Sequence, residues 1–284
     1  MKSKLALGSV QFGLNYGISN KTGVPDDESL IEILKVAKDS NITKIDTASA
    51  YGNAEKRIGK LAKDFQIITK FSNVKSVDEL NLSLGHSLQN LNAPNIYAYL
   101  AHHSNDIINN LDIWKGLIAL KQDNKTQKIG YSLYEIEQLE ILLSLNIIPD
   151  IVQLPYSIFD RKFEPFLPIL KKHNTEIHIR SVFLQGLYFL DTKTLPNKLK
   201  PMATALNKLE DICSKYNLTK AQVAINYIAK NNAIDNIVIG VENAKQLAHN
   251  IALTNHSNIL NEVYSEIEAI EITDKKLLNP SNWL

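Results

Sequence analysis

The chain has 284 residues, 44% of them hydrophobic and 21% charged, with a formal charge of +1. Such a length holds one large domain or two ordinary ones, and the composition is that of a globular protein. A balance so near neutrality excludes a general attraction to nucleic acid or to an anionic membrane surface, so any anion site must be local.

The single cysteine, Cys213, excludes an internal disulfide and disfavours a thiolate metal site. It falls in the helical-looking run Lys208-Leu209-Glu210-Asp211-Ile212-Cys213, which suits a buried structural thiol. No signal-peptide core follows Met1-Lys2-Ser3-Lys4, and no apolar run approaches the roughly 20 residues of a bilayer span. The expected location is cytoplasmic.

Short apolar runs alternate with longer amphipathic ones. Leu5-Ala6-Leu7 leads into a glycine-bearing loop, Gly8-Ser9-Val10-Gln11-Phe12-Gly13. Apolar residues at 30, 31, 33, 34, 36 and 37 predict a helix over 26–40, capped near Pro25-Asp26. Further strands are expected at 43–46, 66–70 and 96–101, followed by helices at 54–63, 77–91 and 111–122. The second half repeats the pattern, with strands at 129–132, 151–154, 176–181 and 237–240. Its helices are expected at 136–145, 163–172, 201–216, 219–231 and 244–252. Alternating strands and helices imply a parallel sheet with right-handed crossovers. The G-x-G-x-x-G fingerprint of the open dinucleotide-binding sheet is absent, and Gly8 and Gly13 stand at the wrong spacing for it. The class is α/β, and eight units in this length predict a closed (β/α)8 TIM barrel, one domain over 1–284.

In such a barrel the chemistry sits just past the C-terminal ends of the strands. Those positions hold Asp46 and, beyond a small-residue turn, Tyr51; then Lys70, His102 with His103, Ser132, Gln153 and Arg180-Ser181. A phenol with a pKa near ~10 is a poor proton donor at neutral pH, and a nearby ammonium lowers that value. An aspartate beside the lysine would hold it charged, and a histidine would orient a carbonyl oxygen or relay a proton. Each residue alone also has an ordinary reading. Asp46 suits a helix cap, Tyr51 a half-buried aromatic, Lys70 an outward-snorkelling chain and His102 a bonded core histidine. Their convergence on one barrel face favours a joint role, and no nucleophile–base pair or metal cluster competes.

At these residues the chain resembles an aldo-keto reductase. The resemblance rests on Asp46-Thr47-Ala48 with Tyr51-Gly52 and Glu55, on Ile68-Thr69-Lys70, and on Leu100-Ala101-His102. It runs from Leu7-Gly8 to the helix after Gly240. It implies an NAD(P)H-dependent oxidoreductase in which Tyr51 protonates the carbonyl oxygen of a small-molecule substrate. Lys70 and Asp46 would lower the Tyr51 pKa, and His102 would orient the carbonyl. It also implies cofactor contacts from Gly8, Ser9, Ser132, Gln153, Gly240, Gln246 and Asn250, with Arg180 and Ser181 at the pyrophosphate. Tyr131 or Tyr156 would wall the nicotinamide.

Leu133 replaces an asparagine that usually helps hold the carboxamide. Glu242 and Asn243 replace the usual serine and arginine near the 2′-phosphate, and Glu242 is an NADH-like feature, with Lys245 as a compensating cation. NADPH is expected from the family, with NADH as the alternative. The runs Gly8–Asn20, Arg180–Leu187 and Pro280–Trp283 resemble a branch common in bacterial carbohydrate and cell-surface polysaccharide pathways, which implies a sugar-derived carbonyl. The competing reading is a nucleotide-binding regulatory barrel with little turnover.

Overall fold

The structure is a computed structural model that describes residues 3–254, 259 and 261–283, so Met1 and Lys2 of the N-terminal run lie outside the described residues. Among these residues the chain forms β1 (Leu5–Gly8), β2 (Lys44–Asp46), β3 (Gln66–Phe71), β4 (Ile96–Ala101), β5 (Thr126–Ser132), β6 (Ile151–Pro155), β7 (Glu176–Arg180) and β8 (Asn236–Gly240). Each pairs in parallel with its sequence neighbours, and β8 closes on β1 through Leu5↔Ile237 to Gly8↔Gly240. The expected (β/α)8 barrel is the observed one. Strands with both faces covered are apolar runs rather than alternations, as the fully buried β1 illustrates.

The helices are α1 (Asp27–Asp39), α2 (Ala54–Leu61), α3 (Val77–Leu91), α4 (Asn105–Asn109), α5 (Asp112–Gln122), α6 (Ile136–Ser144), α7 (Leu167–Lys172), α8 (Ala203–Lys215), α9 (Lys220–Ala229), α10 (Ala244–Leu253) and α11 (Asn261–Glu268). Asp26, Ser76, Thr219 and Asn243 each cap a helix by accepting from a backbone N–H. Their ends share a device. Asn41, Asn92, Asn124, Asn146, Asn174 and Asn217 each follow a helix with φ between 50° and 58°. Asparagine enters the left-handed region that ends a helix more readily than other side-chain-bearing residues.

Three expectations need correction. β5 begins at Thr126, not 129, because Lys128 is a strand residue whose ammonium reaches Glu176. The helix expected at 163–172 starts only at Leu167, after a short 3-10 turn containing Pro165. α4 and α11 were not anticipated, although Val263, Tyr264 and Ile267 bury one face of α11. Cys213 is buried as expected, and burial pushes its thiol up to about 11.

Two layers of the barrel frame the site. Ile68, Ala98, Leu100 and Ile151 form a small apolar cluster. Ile68 shares a strand face with Lys70, and Leu100 with His102, so this cluster floors the catalytic strand ends. At the opposite rim Glu176 accepts from Tyr97 Oη at 2.7 Å and Lys128 Nζ at 2.7 Å, with Lys44 Nζ at 3.6 Å and His178 Nε2 at 3.2 Å. Burial alone would raise the Glu176 carboxyl, but those hydrogen bonds and the Lys44 charge hold it well below the usual carboxylate range.

Candidate active site

The turn after β2 is fixed from both sides. Ser49 donates from its N–H and its hydroxyl to the Lys70 carbonyl, both at 3.0 Å, which ties the turn to β3. On the other side, a Cβ on Gly13 would lie 1.9 Å from the Tyr51 carbonyl oxygen. Gly52, at φ 58°, would meet the Gly13 oxygen at 2.6 Å if it carried a side chain. Two glycines therefore let the β1 and β2 loops interlock, and that contact seats Tyr51.

Asp46 is not a helix cap. Its Oδ1 lies 2.6 Å from Lys70 Nζ, and its Oδ2 accepts from Gln153 Nε2 at 2.7 Å. Lys70 is fully buried rather than snorkelling, and it also donates to the Thr47 carbonyl at 2.9 Å. Its ammonium stands 5.5 Å from the Tyr51 ring centroid. His102 meets Tyr51 edge-on at 5.6 Å between centroids. His102 stacks on His103, His103 stacks on Tyr134, and the Arg180 guanidinium lies 4.2 Å over the Tyr134 ring.

Electrostatics differ from the simple expectation. Burial, and next the charge of Asp46, push the Tyr51 hydroxyl above the ordinary phenol range, and Arg180 pulls in the opposite direction. Tyr51 is thus held in its protonated form by burial and Asp46, rather than being lowered by Lys70. Burial also pushes Lys70 below the usual lysine value against the attraction of Asp46. His102 falls to about 3 through burial and the neighbouring Lys70, His103 and Arg180, so it is neutral at neutral pH. A neutral imidazole orients an oxygen; it does not supply a proton readily.

A cavity of about 510 Å³ opens over these residues. Of the residues singled out in the sequence, Gly8, Ser9, Asp46, Tyr51, His102, Gln153, Arg180, Ser181, Gly240, Gln246 and Asn250 line it. Lys70 lies beneath it, and Ser132 stands behind Arg180, whose Nε is 3.4 Å from the Ser132 hydroxyl. Tyr131 and Tyr156 are turned away from the cavity, bonded to the Ile147 carbonyl and to Glu164. Tyr134 stands in the wall instead, and the sequence offered only its place two residues past Ser132 as a signal. Gln11 was also missed. Ser9 Oγ and Gln11 Oε1 are buried without a hydrogen-bond partner among the described residues, and both residues line the cavity.

Loops from opposite sides meet over the opening. Gln185 Nε2 donates to Tyr16 Oη at 2.7 Å, and Ile18 N–H donates to the Gln185 carbonyl at 3.1 Å. Glu242 accepts from Thr22 Oγ1 and Gln246 Nε2, each at 3.3 Å. Glu55 is structural: its carboxylate accepts from Thr69 at 2.6 Å and from Asn90 at 3.2 Å, pinning α2 to β3 and α3.

The cavity lies at the C-terminal ends of the strands, with a buried lysine–aspartate pair under a tyrosine. A model of the aldo/keto reductase family matches residues 4–272. The chain belongs to the aldo/keto reductase family. Members of the family are oxidoreductases that act on small-molecule carbonyls and alcohols with nicotinamide cofactors.

The chain is 23% identical to the aldo-keto reductase YhdN of Bacillus subtilis, with 86% of this chain and 83% of that protein covered. It is also 23% identical to the NADH-specific methylglyoxal reductase of Escherichia coli, with 89% and 90% covered. The glycerol dehydrogenase AKR11B4 of Gluconobacter oxydans shares the fold at a TM-score of 0.77 and 20% identity, over 95% of this chain and 91% of that one. Among the described residues no helix is long and apolar enough to cross a membrane.

Proposed function

We propose that the protein reduces an aldehyde or ketone, sugar-derived or otherwise hydroxylated, to the alcohol. The observation that carries this reading is the buried Asp46–Lys70 pair at 2.6 Å directly beneath Tyr51. Tyr51 donates its hydroxyl proton to the carbonyl oxygen, and the phenolate left behind faces the Lys70 ammonium. Asp46 holds that ammonium in place, while Gln153 holds Asp46. The neutral His102 directs the carbonyl oxygen toward Tyr51. A nicotinamide held in this cavity would supply the hydride that the carbonyl carbon accepts. Water returns the proton to Tyr51 after the alcohol leaves.

The residues present fit such a cofactor. Ser9 Oγ and Gln11 Oε1 offer unpartnered polar atoms, and Gln153, whose Nε2 is committed to Asp46, keeps its Oε1 for a ligand amide. Gly8, Gly240, Ser181, Gln246 and Asn250 extend the same wall. Arg180 is the one lysine or arginine among the described lining residues, and Lys245 is not among them. Among the described residues Glu242 lines the end toward α10 without an ion pair within 4.0 Å, so a 2′-phosphate there meets a carboxylate. We therefore favour NADH over the NADPH expected from family resemblance.

The test is to mix the protein with NADH or NADPH and a panel of aldehydes and ketones and follow nicotinamide absorbance. Oxidation of NADH by wild type, abolished in Tyr51→Phe with cofactor binding intact, is the expected result. Retained turnover in Tyr51→Phe overturns the assignment of the proton donor.

A further inference from the structure

Arg180 is a half-buried cation that makes no ion pair within 4.0 Å among the described residues, although its charge is felt by the buried Asp160. Partial removal of a guanidinium from water is unfavourable unless charge and hydrogen bonds compensate, so its free N–H groups favour an anionic ligand. The guanidinium is also held in a fixed pose. One face rests on the Tyr134 ring at 4.2 Å, and one terminal nitrogen donates to the Leu133 carbonyl at 2.8 Å. Contacts to the Ser132 and Ser181 hydroxyls are longer, at 3.4 and 3.3 Å. Of the five N–H groups of an arginine, these bonds leave two to meet a ligand.

The direction of the side chain matters more than its charge. Arg180 ends β7, and in the closed strand order β8 and α10 lie on one side of β7, with β6 and β5 on the other. Apart from its neighbour Ser181, its partners Ser132, Leu133 and Tyr134 lie at or just past the end of β5, two strands from β7 on the side away from β8. The guanidinium is thus turned away from Gly240, Glu242 and Gln246, where the nucleotide end of the cavity lies, and toward His102 and Tyr51. The stacked rings of Tyr134, His103 and His102 link it to Tyr51.

We propose that Arg180 anchors a carboxylate carried by the carbonyl substrate, so that preferred substrates are carboxylate-bearing aldehydes or ketones, sugar acids among them. The assignment rests on the carbonyl-reductase reading above. A planar carboxylate meets the paired N–H groups of a guanidinium in a two-bond fork, and the Tyr134 face keeps that fork from rotating. The cofactor's pyrophosphate offers the same anionic oxygens, and the experiment separates the two sources.

The experiment compares D-glucuronate with D-glucose, and succinic semialdehyde with butanal, for wild type, Arg180→Met and Arg180→Lys. Wild type should prefer the carboxylate member of each pair by about 10- to 100-fold in kcat/KM, the worth of one charged hydrogen-bonded pair. Arg180→Met should lose the preference while its KM for NADH moves less than about 3-fold, and Arg180→Lys should keep part of it. Equal use of both members by wild type overturns the proposal. So does a loss in Arg180→Met that falls on cofactor binding and on both substrates alike, which would place the anion on the cofactor. If no carbonyl is reduced, the proposed activity fails separately. Calorimetry with D-glucuronate on the NADH-loaded protein then decides the anchor. Binding lost in Arg180→Met supports it, and no binding to wild type overturns it.

Discussion

Gln153 Nε2 sits 2.7 Å from Asp46 Oδ2, on the carboxylate oxygen that Lys70 leaves unused. Asp46 thereby joins β2, β3 and β6 in one buried knot. Replacing it with asparagine leaves the fully buried Lys70 without its anion. Asp46→Asn should destabilise by about 3–5 kcal/mol and cut kcat sharply. The double variant Asp46→Asn/Lys70→Met should be more stable than Asp46→Asn alone. Urea unfolding midpoints check this, and a double variant weaker by the full sum of the singles would mean that the pair is uncoupled.

The pH dependence of the reaction follows from Tyr51 and His102. Burial and Asp46 keep Tyr51 protonated, and His102 stays neutral down to about 3. With cofactor and substrate saturating, kcat for reduction should be flat from about pH 5 to about pH 9. An alkaline limb centred near neutrality would show instead that ligand binding lets Lys70 depress the phenol.

Stability should fall in mild acid. His102 and His178 both have folded values below the ordinary histidine range, chiefly through burial. Below ~6.5 the unfolded chain takes up a proton at each that the folded chain refuses, so stability is retained above that pH and lost beneath it. For His102 the loss continues down to about 3. It approaches ~1.4 kcal/mol per histidine for each pH unit. Thermal melts of wild type and His102→Gln at pH values on either side of 6.5 read it, and the variant should show the shallower slope.

Gly13→Ala should injure both stability and catalysis, because its methyl would enter the space of the Tyr51 carbonyl oxygen. Overpacking of this kind costs about 1–3 kcal/mol, and a displaced Tyr51 should lower kcat more than it raises KM. Melting curves and steady-state kinetics on the same preparation check both effects.

Cofactor choice should respond to one carboxylate. Glu242→Gln removes the negative charge held by Thr22 and Gln246 at the α10 end of the cavity. Use of NADPH relative to NADH should rise by about 10-fold in kcat/KM. An unchanged ratio would place the 2′-position elsewhere.

The fold was legible where local chemistry repeats. Apolar runs mark the strands, and amphipathic runs mark most of the helices that follow them. It was obscured where a side chain answers to a distant partner. Lys128 makes the start of β5 look like a loop, because its reason for being there is Glu176, 48 residues on. Asp46, Tyr51, Lys70 and His102 stood out because strand ends concentrate chemistry. The Asp46–Gln153 bond joins residues 107 positions apart and leaves no local trace. Gln11 and Tyr134 come from loops whose paths no periodicity encodes.

Strand β2 carries Lys44 at one end and Asp46 at the other, each set against an opposite charge on a different strand, Glu176 at 3.6 Å and Lys70 at 2.6 Å. A slip of one residue would turn both side chains to the wrong face. A slip of two in one direction would seat Lys44 where Asp46 stands, bringing a second ammonium against the buried Lys70. The charge order along three residues thus acts as a key that admits a single alignment of the barrel seam. The residues that tune the chemistry also proofread how the barrel closes.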